Sequence, residues 1–251
     1  MLVMGILNIT PDSFADGGKY NDFESAIRRG HEMIAEGVDI IDIGGESTKP
    51  GAERITLDEE LNRVIPVVKE LSKLGVQISI DTMRSEVARK AIEAGASIIN
   101  DVSGGLADKE MLSTAASLEL PYIAMHWRGH SKDMNSQAVY KDVVSEVIKE
   151  LQERIKASLD AGIKKDNLII DPGLGFAKDA DHNWAIIDSI SRFVDLGYPV
   201  LVGASRKRFL GGDNPDLREA ATIALTQRLS TTGIWAIRVH SVKPHKEVIS
   251  A

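Results

Sequence analysis

Eight short apolar runs, each separated from the next by a longer segment of helical periodicity, constrain the fold more than any other feature of this chain. The runs lie at residues 3–8, 38–44, 76–81, 97–101, 121–126, 167–171, 198–203 and 235–240. Helical segments are predicted between them, near 22–36, 58–73, 84–94, 108–118, 139–161, 182–196 and 217–231. Strands that are apolar on both faces and alternate with helices are typical of a parallel sheet covered by helices on each side.

The number of strand–helix units favours one of two parallel-sheet architectures. Eight units in 251 residues predict an α/β protein with a single-domain (β/α)8 TIM barrel over residues 1–251. A doubly wound open sheet is the alternative on the pattern alone. Within the second predicted helix, Pro66 indicates a kink or a division, and the segment 243–251 is very short for a closing helix.

Charge and cysteine content exclude several classes of function. The formal net charge of −7 argues against a general affinity for nucleic acid or anionic membranes, and it leaves room for a local basic pocket. The chain has no cysteine, which excludes disulfides, thiolate metal sites and cysteine nucleophiles. The amino terminus lacks the basic region of a signal peptide, and no run approaches the roughly 18 apolar residues that span a bilayer. We therefore expect a cytoplasmic protein with no nucleic-acid or membrane partner.

Polar side chains stand where the predicted strands end. They are Asn8, Glu46, Asp81, Asn100, Asp101, His126, Asp171, Ser205, Arg206, Lys207, Arg238 and His240. In a parallel barrel the carboxyl ends of all strands meet at one face, where the loops build the active site. Asp and Asn also cap helices, but His, Lys and Arg are poor N-caps, so capping alone does not explain the series.

Two groups within this set differ in chemistry. Asp81, Asn100 and Asp171 offer carboxylate acceptors and an amide, which suit the paired N–H donors of a flat heterocycle with an amino-amidine edge. The other group suits an anion such as phosphate or pyrophosphate; it consists of Asn8, Lys207, Arg238 and His240. The basic run SRKR around Lys207 could instead be a solvated loop, and His240 could be a core histidine whose hydrogen bonds are satisfied.

Glycine-rich loops follow several strands. The stretch NITPDSFADGGKY at residues 8–20 is polar and contains two glycines, which is typical of a mobile lid and also of an ordinary connection. GxxxxGK[ST] and HExxH are both absent from the sequence, so neither of these motifs identifies a nucleotide or zinc site.

The successive segments resemble one family in particular. MGILNITPDSFADGG, DIGGESTKPG, ISIDTMRSEVA, IINDVSGG, MHWRG, LIIDPGLGFAK, GASRKRFLG and RVH are similar, in this order from residue 4 to residue 240, to the motifs of dihydropteroate synthases. The resemblance implies a TIM barrel, in agreement with the strand count. It also implies condensation of 6-hydroxymethyl-7,8-dihydropterin pyrophosphate with p-aminobenzoate, which yields 7,8-dihydropteroate and pyrophosphate.

The same resemblance implies roles for individual residues. Asp81, Asn100, Asp171 and Lys207 would hold the pterin, with Asp81, Asp171 and Lys207 as the catalytic set. Asn8, Arg238 and His240 would bind the pyrophosphate, with Mg²⁺ bridging Asn8 and phosphate oxygens. The lid and the p-aminobenzoate pocket would be formed by Phe14, Asp16, Thr48, Pro50, Phe176 and Arg208, with Met125 as a further wall. Family members are commonly homodimers, and we expect a homodimer here.

Departures from the family pattern affect the p-aminobenzoate side. Lys49 stands where the family often has arginine, so the charge remains but the bidentate fork is lost. Arg208 stands where many members carry a small hydroxyl residue, and Trp127 replaces the more frequent methionine. Three alternatives stay open: a pterin-dependent methyltransferase of the methyltetrahydrofolate:corrinoid type, a noncatalytic pterin-binding paralogue, and an aldolase that uses Lys207 as a Schiff-base amine.

Overall fold

Eight strands form the centre of the computed structural model, which describes residues 1–9, 19–47, 53–130, 132 and 134–250. The strands are Leu2–Asn8 (β1), Ile40–Gly44 (β2), Gln77–Asp81 (β3), Ile98–Asp101 (β4), Tyr122–Met125 (β5), Leu168–Asp171 (β6), Leu201–Val202 (β7) and Ala236–Val239 (β8). All of them coincide with predicted runs, trimmed at one or both ends or, in β1, extended by one residue.

Strand order shows that the sheet closes into a barrel. The hydrogen-bonded order is β6-β5-β4-β3-β2-β1-β8-β7, and every ladder is parallel. The two ends of this order meet through a parallel bridge between Ile170 and Val200, where the Ile170 amide donates to the Pro199 carbonyl at 3.0 Å. In an open doubly wound sheet these two edges would lie apart. The predicted (β/α)8 TIM barrel is confirmed.

Helices connect the strands and cover the barrel. They are Lys19–Ala35 (α1), Leu57–Leu71 (α2), Ser85–Glu93 (α3), Met111–Leu118 (α4), Val143–Asp160 (α5), Ala180–Asp188 (α6), Ile190–Val194 (α7), Pro215–Leu229 (α8) and Lys243–Ser250 (α9). No helix in the described part of the chain is long and apolar enough to cross a membrane.

The helix predictions need two corrections. α2 begins after Thr56, whose hydroxyl accepts the Glu59 amide, and runs unbroken through Pro66, so the division considered there does not occur. The helix predicted over 182–196 is instead two helices, because Ser189 ends α6 and starts α7 with φ −106° and ψ 20°. The short closing segment forms α9.

Apolar side chains pack on both faces of each strand, which explains why the strands read as apolar runs. In β2, Ile41 and Ile43 join the core between the strands and the surrounding helices, whereas Ile40 belongs to a separate cluster inside the barrel. The inner cluster contains Met4, Ile40, Ile98, Ile123, Ile169, Leu201 and Ala236. Two residues further towards the carboxyl ends, four of these inward positions are polar: Asp42, Asn100, Asp171 and Arg238.

Candidate active site

A buried ion-pair network lies inside the barrel above the apolar layer. Arg238 on β8 donates from Nε to Asp42 Oδ2 and from a terminal nitrogen to Asp81 Oδ2, each at 2.6 Å. Asp42 Oδ2 also accepts from the Asn100 amide at 3.1 Å. Asp42 is fully buried, and 8% of Asp81 is exposed. These four residues come from β2, β3, β4 and β8, and the pairing of β8 with β1 in the curved sheet brings them together.

Burial and like charges set the ionisation of Asp81. Burial raises its pKa, the charge of Arg238 lowers it, and the nearby carboxylates of Asp42, Glu60 and Asp101 raise it further. Charge-assisted hydrogen bonds between Arg238 and the two acids compensate for part of the desolvation. The arrangement therefore places a negative region at the centre of the barrel mouth, balanced by one guanidinium.

Asp171, at the end of β6, borders the same region near Arg238. Its Oδ1 accepts the Gly173 amide at 2.7 Å. A Cβ built on Gly203 would lie 3.9 Å from both Asp171 Oδ2 and Arg238 Cβ, so Asp171 and Arg238 flank that glycine. Burial raises the pKa of Asp171, and the Gly173 amide and the charges of Lys207 and Arg238 oppose this shift.

Lys207 approaches Asp171 from the connection between β7 and α8. Its Nζ donates to the Leu174 carbonyl and lies 4.8 Å from the centre of the Phe176 ring. Burial lowers the pKa of Lys207 to about 8. The charge of Asp171 opposes this lowering, and the charge of Arg238 lowers the pKa further. Asp171 and Lys207, which the resemblance assigns to the same ligand, thus lie near enough at this mouth for each charge to shift the pKa of the other.

The backbone before Lys207 has an unusual conformation. Arg206 has φ +56°, the left-handed region that few non-glycine residues adopt. Helix α8 holds it there, since the Arg206 amide donates to Thr222 Oγ1 at 3.1 Å and its Nε pairs with Glu219 at 2.5 Å. This conformation lets Ser205 and Lys207, on either side of Arg206, both reach groups at the barrel mouth.

His240 and Asn8 occupy the β8 and β1 side of the mouth. His240 Nδ1 lies 2.9 Å from Ser205 Oγ, which also accepts the His240 backbone amide at 3.1 Å. Asn8 pairs with Gly44 in the ladder, and a Cβ built on Gly44 would be 3.6 Å from Asn8 Oδ1 and 3.5 Å from Asp81 Oδ2. Asn8 is therefore a neighbour of the acidic network.

An apolar wall borders the mouth beside Lys207. Phe176 is half-buried and packs with Met83, Val102 and Met125, together with Trp127. Arg208 points away: its side chain is 77% exposed and pairs with Asp213 at 2.6 Å. Phe14, Asp16, Thr48 and Pro50, and with them Lys49, lie outside the described residues.

Sequence reasoning missed two parts of this region. Asp42 was counted as part of the strand run VDIIDIG, although a carboxylate in such a run is itself a signal of an inward polar position. The second part is a chain from Lys178 through His126 to Glu150, with contacts of 2.9 Å and 2.8 Å. His126 lies at the end of a predicted strand, but nothing in the sequence assigns it a role, and no local pattern marks Lys178.

Metal ligands of the protein itself are few here. Among the described residues no group of three or more His, Asp or Glu side chains could hold a metal ion. Asn8 offers one amide oxygen at the mouth. Such a site suits a cation that takes most of its ligands from a bound anion and water, which is the usual manner of Mg²⁺.

Comparisons with known proteins agree with this architecture. The family model for pterin binding enzymes matches residues 4–240. A curated dihydropteroate synthase from Mycobacterium leprae (strain TN) is 46% identical over 251 residues, which covers 96% of this chain and 88% of the relative.

Solved structures show the same likeness. A dihydropteroate synthase of Xanthomonas albilineans with 4-aminobenzoic acid is 42% identical with a TM-score of 0.93, covering 99% of this chain and 90% of that one. The enzyme from the same organism in complex with 7,8-dihydropteroate is 39% identical with a TM-score of 0.89, covering 99% and 91%.

Proposed function

The chain belongs to the dihydropteroate synthase family of pterin-binding enzymes, and from that membership we propose that its barrel mouth joins 6-hydroxymethyl-7,8-dihydropterin pyrophosphate to p-aminobenzoate. The products are 7,8-dihydropteroate and pyrophosphate. The observation that carries the proposal is the convergence of Asp81, Asn100, Asp171 and Lys207 around one buried mouth. The relatives solved with 4-aminobenzoic acid and with 7,8-dihydropteroate support it.

The acidic group recognises the pterin in this proposal. Asp171 uses Oδ1 for the Gly173 amide, so Oδ2 is available to N–H groups of the amino-pyrimidine edge. Asn100 can accept and donate at the same edge. The Lys207 ammonium donates to the carbonyl side of the ring, in place of its present contact with the Leu174 carbonyl.

Asn8, Arg238 and His240 bind the diphosphate in this proposal. Asn8 ends β1 and His240 follows the adjacent strand β8, and neither strand pairs with β6, which carries Asp171. Asn8 would hold Mg²⁺ together with phosphate oxygens, and the ion would offset negative charge on the leaving group. Arg238 has two roles in this proposal, because it binds the diphosphate and also neutralises Asp42 and Asp81.

The chemistry follows from this distribution of charge. The bond between the pterin methylene carbon and the pyrophosphate oxygen breaks, and the leaving oxygen keeps the electron pair. Asp81 and Asp171, buried and preorganised, stabilise the cation that develops on the pterin. The p-aminobenzoate nitrogen then forms the new bond and releases one proton to solvent, so no strong general base is needed.

The p-aminobenzoate pocket is the apolar wall beside Lys207 in our proposal. Phe176 and Met125 would contact the benzene ring, and Phe14, Asp16, Thr48 and Pro50 stay assigned to the lid and pocket by resemblance. Since the Arg208 side chain pairs with Asp213, its backbone N–H is the group we assign to the substrate carboxylate.

One assay separates this function from a noncatalytic pterin-binding role. Purified protein is supplied with the pterin pyrophosphate, with and without p-aminobenzoate and Mg²⁺, and released pyrophosphate and dihydropteroate are measured. We expect dihydropteroate only when both substrates are present. Pterin binding without any turnover would assign the chain to a noncatalytic paralogue.

The metal is tested by binding rather than turnover. After EDTA treatment, calorimetry with inorganic pyrophosphate should show tighter binding when MgCl₂ is restored. Asn8→Ala should remove that increment, whereas Asn167→Ala, remote from the mouth, should keep it. An identical Mg²⁺ effect in both variants would contradict the role of Asn8.

We also propose a cytoplasmic homodimer. Trp184 on α6 and Leu217 on α8 are large apolar side chains with 37% and 59% of their surface exposed, which suits contact with a second copy. Light scattering should give about twice the chain mass of 27.3 kDa. A mass of one chain at micromolar concentration would contradict the dimer.

A further inference from the structure

A buried lysine with no assigned part in the reaction lies behind the barrel mouth. Lys178 follows β6 in the segment DPGLGFAK, and only 8% of it is exposed. Its Nζ lies 2.9 Å from His126 Nδ1 and 3.0 Å from each of the carbonyl oxygens of Gly173 and Phe176. Burying a lysine costs free energy unless its N–H donors are satisfied, and here three acceptors satisfy them. A lysine buried with a complete set of acceptors needs a physical explanation.

The three acceptors match the three N–H bonds of an ammonium group. His126 can accept at Nδ1 because burial lowers its pKa to about 4, and its other ring nitrogen, Nε2, lies 2.8 Å from Glu150 Oε2. The neutral ring therefore donates to Glu150 and presents a lone pair to Lys178. Burial also lowers the pKa of Lys178, and the charge of Asp171 opposes this shift.

The two carbonyls that Lys178 holds are the ends of one tight turn. Phe176 donates its amide to the Gly173 carbonyl at 3.1 Å, and Gly173 donates its amide to Asp171. Within the turn, the Leu174 carbonyl accepts a hydrogen bond from the Lys207 ammonium. The Phe176 ring contacts that same Lys207 ammonium. The turn thus links the residues assigned to the pterin with the wall assigned to p-aminobenzoate.

Close packing ties this turn to β5 as well. Gly173 has φ +68°, and a Cβ there would lie 2.4 Å from the His126 carbonyl oxygen. His126 therefore contacts the turn twice, through its backbone and through Lys178. A shift of Lys178 would displace the Leu174 carbonyl and Phe176, whereas Asn8 ends β1 and His240 follows β8, two strands that do not pair with β6.

We propose that Lys178 is a positioning residue for the reaction. Its three hydrogen bonds fix the turn of residues 173–176, and this turn holds Lys207 and Phe176 in position against their substrates. The proposal rests on the proposed function, because it assigns the turn to the pterin and p-aminobenzoate subsites of that reaction. It adds a residue that touches neither substrate.

The absence of cysteine in this chain makes a direct rescue experiment available. Lys178→Cys removes the ammonium, and alkylation with 2-bromoethylamine in denaturant, followed by refolding, restores an amine of nearly the same reach. Lys156→Cys, at a lysine on α5 with 76% of its side chain exposed, is treated in the same way as the matched control.

The readout separates positioning from loss of folded protein. For refolded Lys178→Cys we expect the KM for p-aminobenzoate to rise, and the affinity for 6-hydroxymethylpterin to fall, by about tenfold, as when hydrogen bonds from a charged donor are lost. The Kd for inorganic pyrophosphate should stay within twofold of the wild-type value, because that subsite lies on other strands. Aminoethylation should restore both affected constants.

Two results would overturn the proposal: unchanged KM and pterin affinity in Lys178→Cys, or no recovery after aminoethylation while the treated control is normal. If Lys178→Cys does not refold, His126→Phe decides. It removes the Nδ1 acceptor of Lys178 and also the Nε2 contact with Glu150, whereas Glu150→Ala removes the Nε2 contact and keeps the Nδ1 acceptor. His126→Phe should move the same two constants in the same direction and further than Glu150→Ala does, and no change in His126→Phe would refute the role. Wild-type protein that shows no turnover would refute the proposed function instead, so the two failures are distinguishable.

Discussion

Replacing Arg238 by methionine should destabilise the protein strongly, and the loss should depend on pH. The guanidinium is the counter-ion of two carboxylates, with contacts of 2.6 Å to Asp42 and 2.6 Å to Asp81. Only 19% of the Arg238 side chain is exposed, against 0% and 8% for its partners. Removing one member of such a buried set leaves uncompensated charge and costs about 3–5 kcal/mol of unfolding free energy.

The pH dependence follows from the sign of the pKa change. Burial raises the pKa of Asp81 to about 7 in the wild type, and the charge of Arg238 opposes that rise. Without Arg238 the pKa of Asp81 in the folded variant rises further, so protonation of Asp81 stabilises the folded variant at a higher pH than it stabilises the wild type. The difference from wild type should therefore shrink on acidification, by up to about 1.4 kcal/mol per pH unit for this carboxyl. Asp42→Asn combined with Arg238→Met should recover more than about 1 kcal/mol at pH 8, because it removes one of the unpaired charges.

Urea denaturation at pH 8 and pH 5.5 measures these differences. Arg228→Met is the matched control: Arg228 pairs with Asp188 at 2.7 Å, with 51% and 62% of the two side chains exposed, and should cost less than about 1 kcal/mol at either pH. Equal costs for Arg238→Met and Arg228→Met at both pH values would refute the buried network.

Two further predictions concern the same mouth. Because the pKa of Lys207 is lowered to about 8 and its charged form serves the pterin, kcat/KM for the pterin substrate should fall as pH rises above 8, and Lys207→Arg should remove that alkaline limb. The same limb in both proteins would contradict the assignment. In urea denaturation, Gly173→Ala should lower the unfolding free energy by about 2 kcal/mol more than Gly197→Ala does. Both glycines have positive φ, but only a Cβ at Gly173 would meet a backbone atom, the His126 carbonyl oxygen at 2.4 Å. Equal losses in the two variants would refute the close packing.

The fold was predictable from the sequence because buried parallel strands are apolar on both faces. All eight runs became strands, and their count selected the barrel. β7 was predicted over 198–203 but is only Leu201–Val202 long, because its closing contact with β6 is a single bridge at Val200. That extent depends on how the last strands meet, which local sequence does not encode.

The candidate site was predictable where a polar residue lies at the carboxyl end of a strand. Asp81, Asn100 and Asp171 are among the last two residues of β3, β4 and β6, Lys207 follows β7 by five residues, and the structure brings them to one mouth. The pairing of Arg238 with Asp42 was not predictable, since it joins positions 196 residues apart through the pairing of β8 with β1. Lys178 stands seven residues after the end of β6, and its role depends on acceptors from two other segments.

The ion pairs of Arg238 with Asp42 and Asp81 determine which substitution can test its role in diphosphate binding. Removal of Arg238 disturbs Asp81, so Arg238→Ala cannot reduce binding of the diphosphate alone. Arg238→Lys keeps the positive charge between the two carboxylates but loses the planar guanidinium that can donate to two acceptors at once. Loss of pyrophosphate affinity with preserved 6-hydroxymethylpterin affinity in that variant would support the diphosphate role, and equal losses would contradict it.

Formation of 7,8-dihydropteroate by wild-type protein and by Asp171→Asn, in a single assay with both substrates and Mg²⁺, tests the central claim most directly. The account predicts product that depends on p-aminobenzoate for wild type, and a fall of at least about a hundredfold for Asp171→Asn, because the amide loses the negative charge that stabilises the pterin cation. Equal rates for the two proteins, or no product from folded wild type, would contradict it.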